Sequence, residues 1–493
     1  MERIPFAVEA GRLDVHELAR AYLADNLAAS PAYHAGQWWE YRGTHYRPVS
    51  PEYLDGRLRL WLTGQGVGPK PQAVSNLMAQ IRAVVHVDPD AAMPGWVNAD
   101  AHSPEPGRVI AFRNGLLDVE RFLAGDSGLI PHMANWFSAV CLPYAFDPAA
   151  DCPRWRRCLG EWLVEDDQIE LLQSWFGYNL ATDNSLQKFM FLLGPPRSGK
   201  STTLNVLTQV LGRQNVAAST FQSLAGEFGL ANLVGKQALT ISEIHADRSA
   251  KGVVQVIKNI TGNDPVPVNR KGLPIVSLTL PVRITVAANQ LPRLPDDSNA
   301  LAARMLLLHY PNTYLGKEDH GIAEALAAEI PGIANWALAG LRRLRQTGRF
   351  TQPDRGKECL DDFGNLSSPV EQFLADCCEE GPAAWEATEH LHDAWIAWCV
   401  GEGHEPGSRN VFGSKLKAAR PEIRNGQRRT PAGRKIRYYA GVQLTAEGIA
   451  VLERRLGRPA IKHRNEARAT QAVSGCPRQL AGPLSGFAVA VSG

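Results

Sequence analysis

Hydrophobic and polar positions follow helical or strand-like periods through the first part of the chain. Apolar side chains recur at three- and four-residue spacing over residues 13–27 and 53–62, which predicts two helices. Residues 37–47 between them indicate a hairpin. Its aromatic residues fit the core of a small sheet, with stacking on nucleobases as the alternative; they are Trp38, Trp39, Tyr41 and Tyr46.

The rest of the chain changes period several times. Residues 109–112 are strand-like, and residues 154–183 carry apolar side chains at helical spacing. Strand-like and helical runs alternate over 187–345, and residues 365–445 predict a compact helical module that ends in a hairpin. Residues 456–493 have no clear period, so we expect disorder there.

A chain of 493 residues is long enough for about three domains. We divide it into an N-terminal α+β region of unknown role (1–105), a helical domain (106–185), an α/β domain (186–345), a C-terminal domain (365–445) and a tail (456–493). The predicted fold class is multidomain α/β.

The net charge of only +2 argues against a nucleic-acid partner, but the charge is unevenly distributed. Residues 409–468 contain sixteen Lys and Arg against four Glu, a net +12, and the remainder carries −10. This asymmetry is typical of a surface that contacts phosphate backbones. A solvated basic segment is the equally open alternative.

Several classes of protein are disfavoured. Residues 1–13 are charged and contain no signal-peptide core, and prolines interrupt the longest uncharged stretch, so we expect a cytoplasmic protein with no membrane partner. Eight cysteines over this length indicate reduced thiols. A metal site is a weaker alternative, because its candidate ligands fall on predicted amphipathic helices; they are Cys377, Cys378, His390, His392 and Cys399.

The most specific motif is G-x-x-x-x-G-K-S at 194–201, which follows the apolar run 189–193 and precedes a helical run. In such a loop, backbone N–H groups and a helix N-terminus surround phosphates. Lys200 is then expected to neutralise the β- and γ-phosphates of ATP, and Ser201 to ligate Mg²⁺. The predicted nucleotide-binding residues are Gly194, Pro195, Pro196, Arg197, Ser198, Gly199, Lys200, Ser201 and Thr202.

Two later strands end in polar residues suited to catalysis. Residues 238–241 lead to Glu243, the candidate general base and a second candidate ligand of Mg²⁺. Ser242 stands where such strands usually carry a first acid, which leaves the metal ligands open. Residues 283–288 end at Asn289, which we expect beside the loop as a sensor of the γ-phosphate.

Basic residues near these strands are candidates for two further roles. Arg304 is a candidate finger that completes a neighbouring subunit's site, with an ordinary surface ion pair as the alternative. Arg270, Lys271 and Gly272 lie between strand-like runs and predict a hairpin tip, whose cations could contact a phosphate backbone. Lys258 is a further candidate DNA contact.

This series of motifs resembles the superfamily-three helicases, and more narrowly the primase–helicase proteins of phages, plasmids and poxviruses. The resemblance covers roughly residues 108–445. It is carried by the following motifs: 112–118, 147–155, the loop 194–201, Glu243, Lys258 with Thr261-Gly262 and Asp264, the basic hairpin, Asn289, Arg304, 392–399, 412–416 and 434–441.

The resemblance implies an AAA+-like P-loop ATPase core that follows a helical domain and precedes a winged helix. It further implies a homo-hexameric ring that hydrolyses ATP with Mg²⁺ at subunit interfaces and moves 3′ to 5′ on single-stranded DNA in a bacterial host cell. The C-terminal module is expected to hold duplex or forked DNA through Arg428, Arg429, Arg434, Lys435 and Arg437.

The chain departs from the resembled family at its N-terminus. Residues 1–107 are too few for the family's primase domain, and Asp88-Pro89-Asp90 is a poor metal-ligating pair, so we expect the primase to be a separate partner. Two other functions stay open at this point. One is a DNA-dependent ATPase for remodelling or packaging, and the other is a replicon-binding initiator protein with a regulatory ATPase.

Overall fold

The computed structural model describes residues 14–88, 91, 93–242, 250–292, 300–367, 369–402, 404–429, 433 and 435–457. The described chain falls into two compact units, one of which runs to Gly364, while the other begins at Asn365. Over the described residues, no helix is both long enough and apolar enough to cross a membrane.

The N-terminal elements pack helices against a three-stranded antiparallel sheet in the order β1-β2-β3. They are α1 (Val15–Asp25), β1 (Pro31–His34), β2 (Gln37–Tyr41), β3 (Tyr46–Val49), α2 (Pro51–Gly64) and α3 (Pro71–Val84). The predicted hairpin is confirmed, since β2 pairs with β3. Trp38, Trp39, Tyr41 and Tyr46 are all buried, which favours the core role over base stacking.

Short strands and two long helices follow. They are β4 (Gly95–Trp96), β5 (Val109–Phe112), β6 (Gly115–Asp118), α4 (Val119–Leu123), β7 (Leu129–Ile130), β8 (Trp136–Phe137), α5 (Pro153–Leu163) and α6 (Asp166–Leu180). The turn predicted after residue 112 is confirmed, because β5 and β6 pair across it. The helices predicted over 154–183 are α5 and α6.

A parallel sheet of five strands, in the order β10-β11-β14-β9-β15, forms the centre of this unit among the described residues. The elements are β9 (Phe189–Leu193), α7 (Lys200–Leu211), β10 (Val216–Ser219), α8 (Phe221–Leu224), β11 (Ala238–Ile241), α9 (Ala250–Gly262), β12 (Val266–Val268), β13 (Val276–Leu278), β14 (Arg283–Ala288), α10 (Ala300–Arg304), β15 (Met305–His309), α11 (Ile322–Ala328) and α12 (Ile330–Thr347). Parallel pairing places all five carboxyl ends at one edge, the carboxyl edge, and all amino ends at the other, the amino edge.

The helices that precede the sheet share its hydrophobic core. One buried cluster includes Trp155 and Trp175 of α5 and α6, Met190 of β9 and Trp336 of α12. Helices α6 and α12 approach so closely that a Cβ on Gly177 would lie 2.4 Å from the Ala337 carbonyl oxygen. The segments 106–185 and 186–345 are therefore packed as one body instead of two independent cores.

The C-terminal unit packs helices around a three-stranded antiparallel sheet in the order β16-β18-β17. From the helix that precedes it, the elements are α13 (Asp354–Ser367), α14 (Pro369–Cys377), β16 (Cys378–Ala387), α15 (Thr388–Glu402), α16 (Arg409–Ala419), β17 (Arg424–Arg429), β18 (Lys435–Leu444) and α17 (Ala446–Leu456). The predicted final hairpin is confirmed as β17 and β18. Its core includes Cys377 and Cys399, and the described residues contain no cluster of His, Cys, Asp and Glu that could hold a metal ion.

Candidate nucleotide-binding site

The loop 194–199 joins the fully buried strand β9 to the N-terminus of α7 at the carboxyl edge. A Cβ on Gly194 would lie 2.3 Å from the Tyr310 carbonyl oxygen. Gly199 has φ +101°, and a Cβ there would lie 2.6 Å from the Trp162 ring. Side chains are therefore excluded at both positions, and the backbone of the loop is drawn tightly around the start of the helix.

Lys200, the first residue of α7, points back into this loop. Its ammonium group donates to the Gly194 oxygen at 2.7 Å, to the Pro195 oxygen at 2.6 Å and to Ser198 Oγ at 3.1 Å. The side chain is buried, and this burial lowers the pKa of Lys200. The first N–H groups of α7 have no acceptor within the helix, so the loop presents both a cation and backbone donors. Ser201 is exposed at the same end.

The segment after β15 forms the outer wall of the loop. Thr313 Oγ1 donates to the Pro196 oxygen at 2.8 Å, and the Tyr314 N–H donates to the Arg197 oxygen at 2.9 Å. Tyr310 donates its hydroxyl to Thr203 Oγ1, and burial raises the pKa of Tyr310, which keeps that donor protonated. Sequence reasoning missed this wall. No local signal marks it, since its residues lie more than a hundred positions from the loop.

Asn289 is placed at the carboxyl edge as expected. Strand β14 pairs with β9, and its last residue, Ala288, is opposite Leu193, so Asn289 and Gly194 leave the sheet side by side. Asn289 is exposed there. The strand that leads to Ser242 is one position further away, because β14 lies between β11 and β9. Glu243 lies outside the described residues.

Arg304 lies at the opposite, amino edge, directly before Met305, which pairs with Phe189 at the start of β9. Its guanidinium donates to the Lys258 oxygen and to Thr261 Oγ1, both near the C-terminus of α9. A cation at that helix end is favoured by the helix dipole. The structure therefore does not bring Arg304 to the loop of its own chain, and Lys258 meets Arg304 through its backbone.

The predicted basic hairpin is confirmed as β12 and β13, but its two cations differ. Lys271 is exposed, as expected for a DNA contact. Arg270 is only 8% exposed, and it donates to the Ala35 oxygen at 2.6 Å. Burial lowers the pKa of Arg270. The placement of Arg270 thus differs from the exposed position predicted, because the N-terminal strands cover it.

In the C-terminal unit, the basic residues of the β17–β18 hairpin occupy both faces. Arg429 is opposite Lys435 and Gln427 is opposite Arg437, so Arg429, Lys435 and Arg437 share one face, where all three are exposed. Arg428 faces the other way and lies over the Trp385 ring, 4.1 Å from its centroid. Arg434 lies outside the described residues.

Comparisons with known proteins place the chain near one fold. The model of a family of unknown function, DUF5906, matches residues 192–304, which run from β9 to Arg304. Two apo structures of the NrS-1 C-terminal region have TM-scores of 0.52 against this chain, at 13% and 11% identity. Each comparison covers 87% of this chain and 100% of the other. At these identities the likeness is one of fold.

Proposed function

We propose that this protein is an ATP-dependent DNA helicase in phage, prophage or plasmid replication that works with a separate primase. The observation that carries the proposal is the loop 194–201, which lies between a buried parallel strand and a helix N-terminus, with Lys200 inside it. The fold likeness to the NrS-1 C-terminal region and the match over 192–304 are compatible with the primase–helicase family at this coarse level.

The residues of the loop fit a nucleoside triphosphate. Without a Cβ, Gly194 and Gly199 let the loop backbone pack closely against Tyr310 and Trp162, and Arg197 adopts a left-handed backbone at φ 59°. On binding, Lys200 would exchange its loop acceptors for oxygens of the β- and γ-phosphates. Ser201 would ligate Mg²⁺, which neutralises developing charge on the phosphates, and Asn289 would contact the γ-phosphate from the adjacent strand.

The proposal extends to the architecture of a ring-forming motor. The parallel sheet, with β14 beside the loop strand, supports an AAA+-like core, and the helices with a three-stranded sheet support a C-terminal winged helix. A hexameric ring would place Arg304 against a neighbour's nucleotide. That role requires Arg304 to leave the Lys258 oxygen and Thr261 in the ring.

DNA contacts are proposed at the exposed cations. Lys271 would contact single-stranded DNA from the tip of the β12–β13 hairpin, and Arg429, Lys435 and Arg437 would contact the backbone of forked DNA. Arg428 lies on the opposite face of the hairpin from Arg429, Lys435 and Arg437, so it would not contact DNA with them. Its stacking on Trp385 would instead support the hairpin that carries these three residues.

The test is unwinding of a forked duplex, with ATPase measured in parallel. We expect activity in the wild type and in Arg349→Ala, an exposed-arginine control, and loss in Lys200→Ala and Arg304→Ala. If Arg304 acts in trans, mixtures of the two inactive variants recover part of the ATPase. Intact rings without recovery would contradict the shared site.

Two other outcomes would replace the helicase function. ATPase stimulated by single-stranded DNA without any unwinding would indicate a remodelling or packaging enzyme. A footprint at one DNA site at physiological salt that survives Lys200→Ala would indicate an initiator protein.

A further inference from the structure

A cavity of about 970 Å³ opens at the amino edge of the parallel sheet, between the N-terminal strands and the body of the same unit. Its lining includes Ala35 next to β1, Trp39 of β2, Gln237 directly before β11, and Arg283, the first residue of β14. We call it the amino-edge cavity. It is separate from the candidate nucleotide site, because the loop 194–199 lies at the carboxyl ends of the same strands.

Several residues that line this cavity carry buried polar atoms without partners. In the described part of the chain, Arg270 Nε, Arg283 Nε and Trp39 Nε1 are buried donors without an acceptor, although these side chains are 8%, 1% and 3% exposed. Leaving such groups unpaired costs free energy, and most for a charged group. This concentration of unsatisfied donors on one lining indicates that a ligand provides the acceptors.

The two arginines are held in place by their other nitrogens. Arg270 donates Nη2 to the Ala35 oxygen, and Arg283 donates Nη2 to the Asp183 oxygen at 2.5 Å and Nη1 to the Pro281 oxygen at 3.1 Å. Backbone carbonyls carry no full charge, so these bonds neutralise neither guanidinium, although Arg283 also lies over the Tyr178 ring and within the field of the Asp183 carboxylate. Both are therefore fixed cations suited to an anion.

The same lining also offers acceptors. Gln237 donates its amide to the Asn179 and Leu180 oxygens, which leaves its Oε1 unpaired. His34 Nδ1 is unpaired as well, and the imidazole is hydrogen-bonded to the backbone at Val87 and Asp88. A neutral imidazole with one nitrogen donating accepts at the other. The ligand must therefore carry donors besides its anionic oxygens.

We propose that the amino-edge cavity binds a nucleoside phosphate, either as a free nucleotide or as a residue of a nucleic-acid strand. Its phosphate oxygens accept from Arg270 and Arg283, and its hydroxyl or amino groups donate to Gln237 Oε1 and His34 Nδ1. The volume lies within the range of pockets that enclose ligands of this size, about 300–1,000 Å³. The inference does not rest on ATP hydrolysis, since no residue of the loop takes part.

The matched variants are Arg270→Gln and Lys271→Gln, which remove one charge each from adjacent residues of the same hairpin. The full chain is titrated with AMP without Mg²⁺. We expect Arg270→Gln to weaken AMP binding at least tenfold, and both Lys271→Gln and Lys200→Ala to change it less than twofold. Trp39→Phe keeps an aromatic side chain but removes the indole N–H, so it should weaken binding about threefold even if Arg270→Gln folds poorly.

A tetrathymidylate oligonucleotide and inorganic phosphate complete the test. If the oligonucleotide binds at least tenfold more tightly than AMP and shows the same loss in Arg270→Gln, the source is a strand; otherwise it is a free nucleotide. Photo-crosslinking with 8-azido-AMP should label peptides that contain residues 34–39 or 235–237. Labelling confined to 194–201, equal losses in Arg270→Gln and Lys271→Gln, phosphate that binds as well as AMP, or no binding would each overturn the proposal.

Discussion

At the carboxyl edge of the five-stranded sheet, the ammonium group of Lys200 has three acceptors within its own loop. At the amino edge, Arg270 and Arg283 are buried with an unpaired Nε each. One edge therefore satisfies its cation internally, and the other leaves its cations short of acceptors. The acceptors of Lys200 all come from its own loop, whereas Arg270 and Arg283 depend largely on carbonyls of distant segments, which leave the Nε of each arginine unpaired.

The largest effect is expected at the carboxyl edge. Lys200→Ala should lower kcat/KM for ATP roughly 10²- to 10³-fold, because a positioned charge at the phosphates is lost. The matched control is Lys188→Ala at the amino edge, a lysine that also donates to a backbone carbonyl, that of Ala303, and whose pKa burial also lowers. Steady-state ATPase should change less than twofold in this control. If Lys200→Ala and Lys188→Ala lost similar ATPase activity, the carboxyl edge would have no special role in hydrolysis.

The tight backbone of the loop predicts the next effect. Gly199→Ala should destabilise the protein by about 3 kcal/mol, since it combines a strained φ with a clash against Trp162. Gly272→Ala has the strain alone, at φ +76° with nothing within 4 Å of the new Cβ, and should cost about 1 kcal/mol. Chemical denaturation of the two variants gives the difference. Equal losses would mean that the Trp162 contact does not constrain the loop.

Replacing Asn289 tests whether β14, the strand next to β9, contributes a residue to the nucleotide site. Asn289→Ala should slow hydrolysis about 10- to 100-fold with little change in ATP affinity, because the γ-phosphate contact matters most in the transition state. Gln290→Ala, at the next exposed position, should leave the rate within twofold. A rate unchanged in Asn289→Ala would contradict the sensor role.

The β17–β18 hairpin of the C-terminal unit allows a comparison with residues that belong to neither edge of the five-stranded sheet. Replacing Arg429, Lys435 and Arg437 together by Ala should reduce the slope of log affinity for DNA against log salt by about 2–3, at about 0.9 for each lost phosphate contact. ATPase without DNA should be unchanged. The control replaces three exposed cations of the other unit, which are Arg213, Lys317 and Lys357. A control that loses as much slope would argue against a specific DNA surface.

The smallest effect concerns His34 at the amino edge. Burial lowers the pKa of His34, so the folded protein keeps the ring neutral, while the unfolded chain takes up a proton near pH 6.5. Stability should therefore fall as the pH drops below about 6.5, and His34→Gln should lose less between pH 7 and pH 5 than the wild type. His45, whose pKa burial lowers to about 4, is present in both proteins. Exposed His16→Gln is the control, and thermal midpoints that fall equally in all three would contradict the prediction.

Features formed by residues that are contiguous in the sequence can be predicted from it. Contacts between segments that are distant in the sequence cannot. The loop 194–201 and the hairpin at 270–272 are both local patterns, and both are found where predicted. The burial of Arg270 could not be predicted, because its acceptor is Ala35, 235 positions away. Asn289 of the β14 end is found beside the loop as expected, whereas the separation of β11 from β9 is a matter of strand order, which periodicity does not encode.

Strand β14 joins the two edges with six residues, from Arg283 in the amino-edge cavity to Ala288 opposite Leu193. At about 3.3 Å per residue it is a rod of roughly 17 Å between its end residues, hydrogen-bonded on both sides and therefore stiff along its axis. A ligand bound at Arg283 would therefore act on the same strand that leads to Asn289. We expect the two sites to bias each other, and thermodynamic reciprocity then requires AMP to change ATP affinity by the same factor as ATP changes AMP affinity.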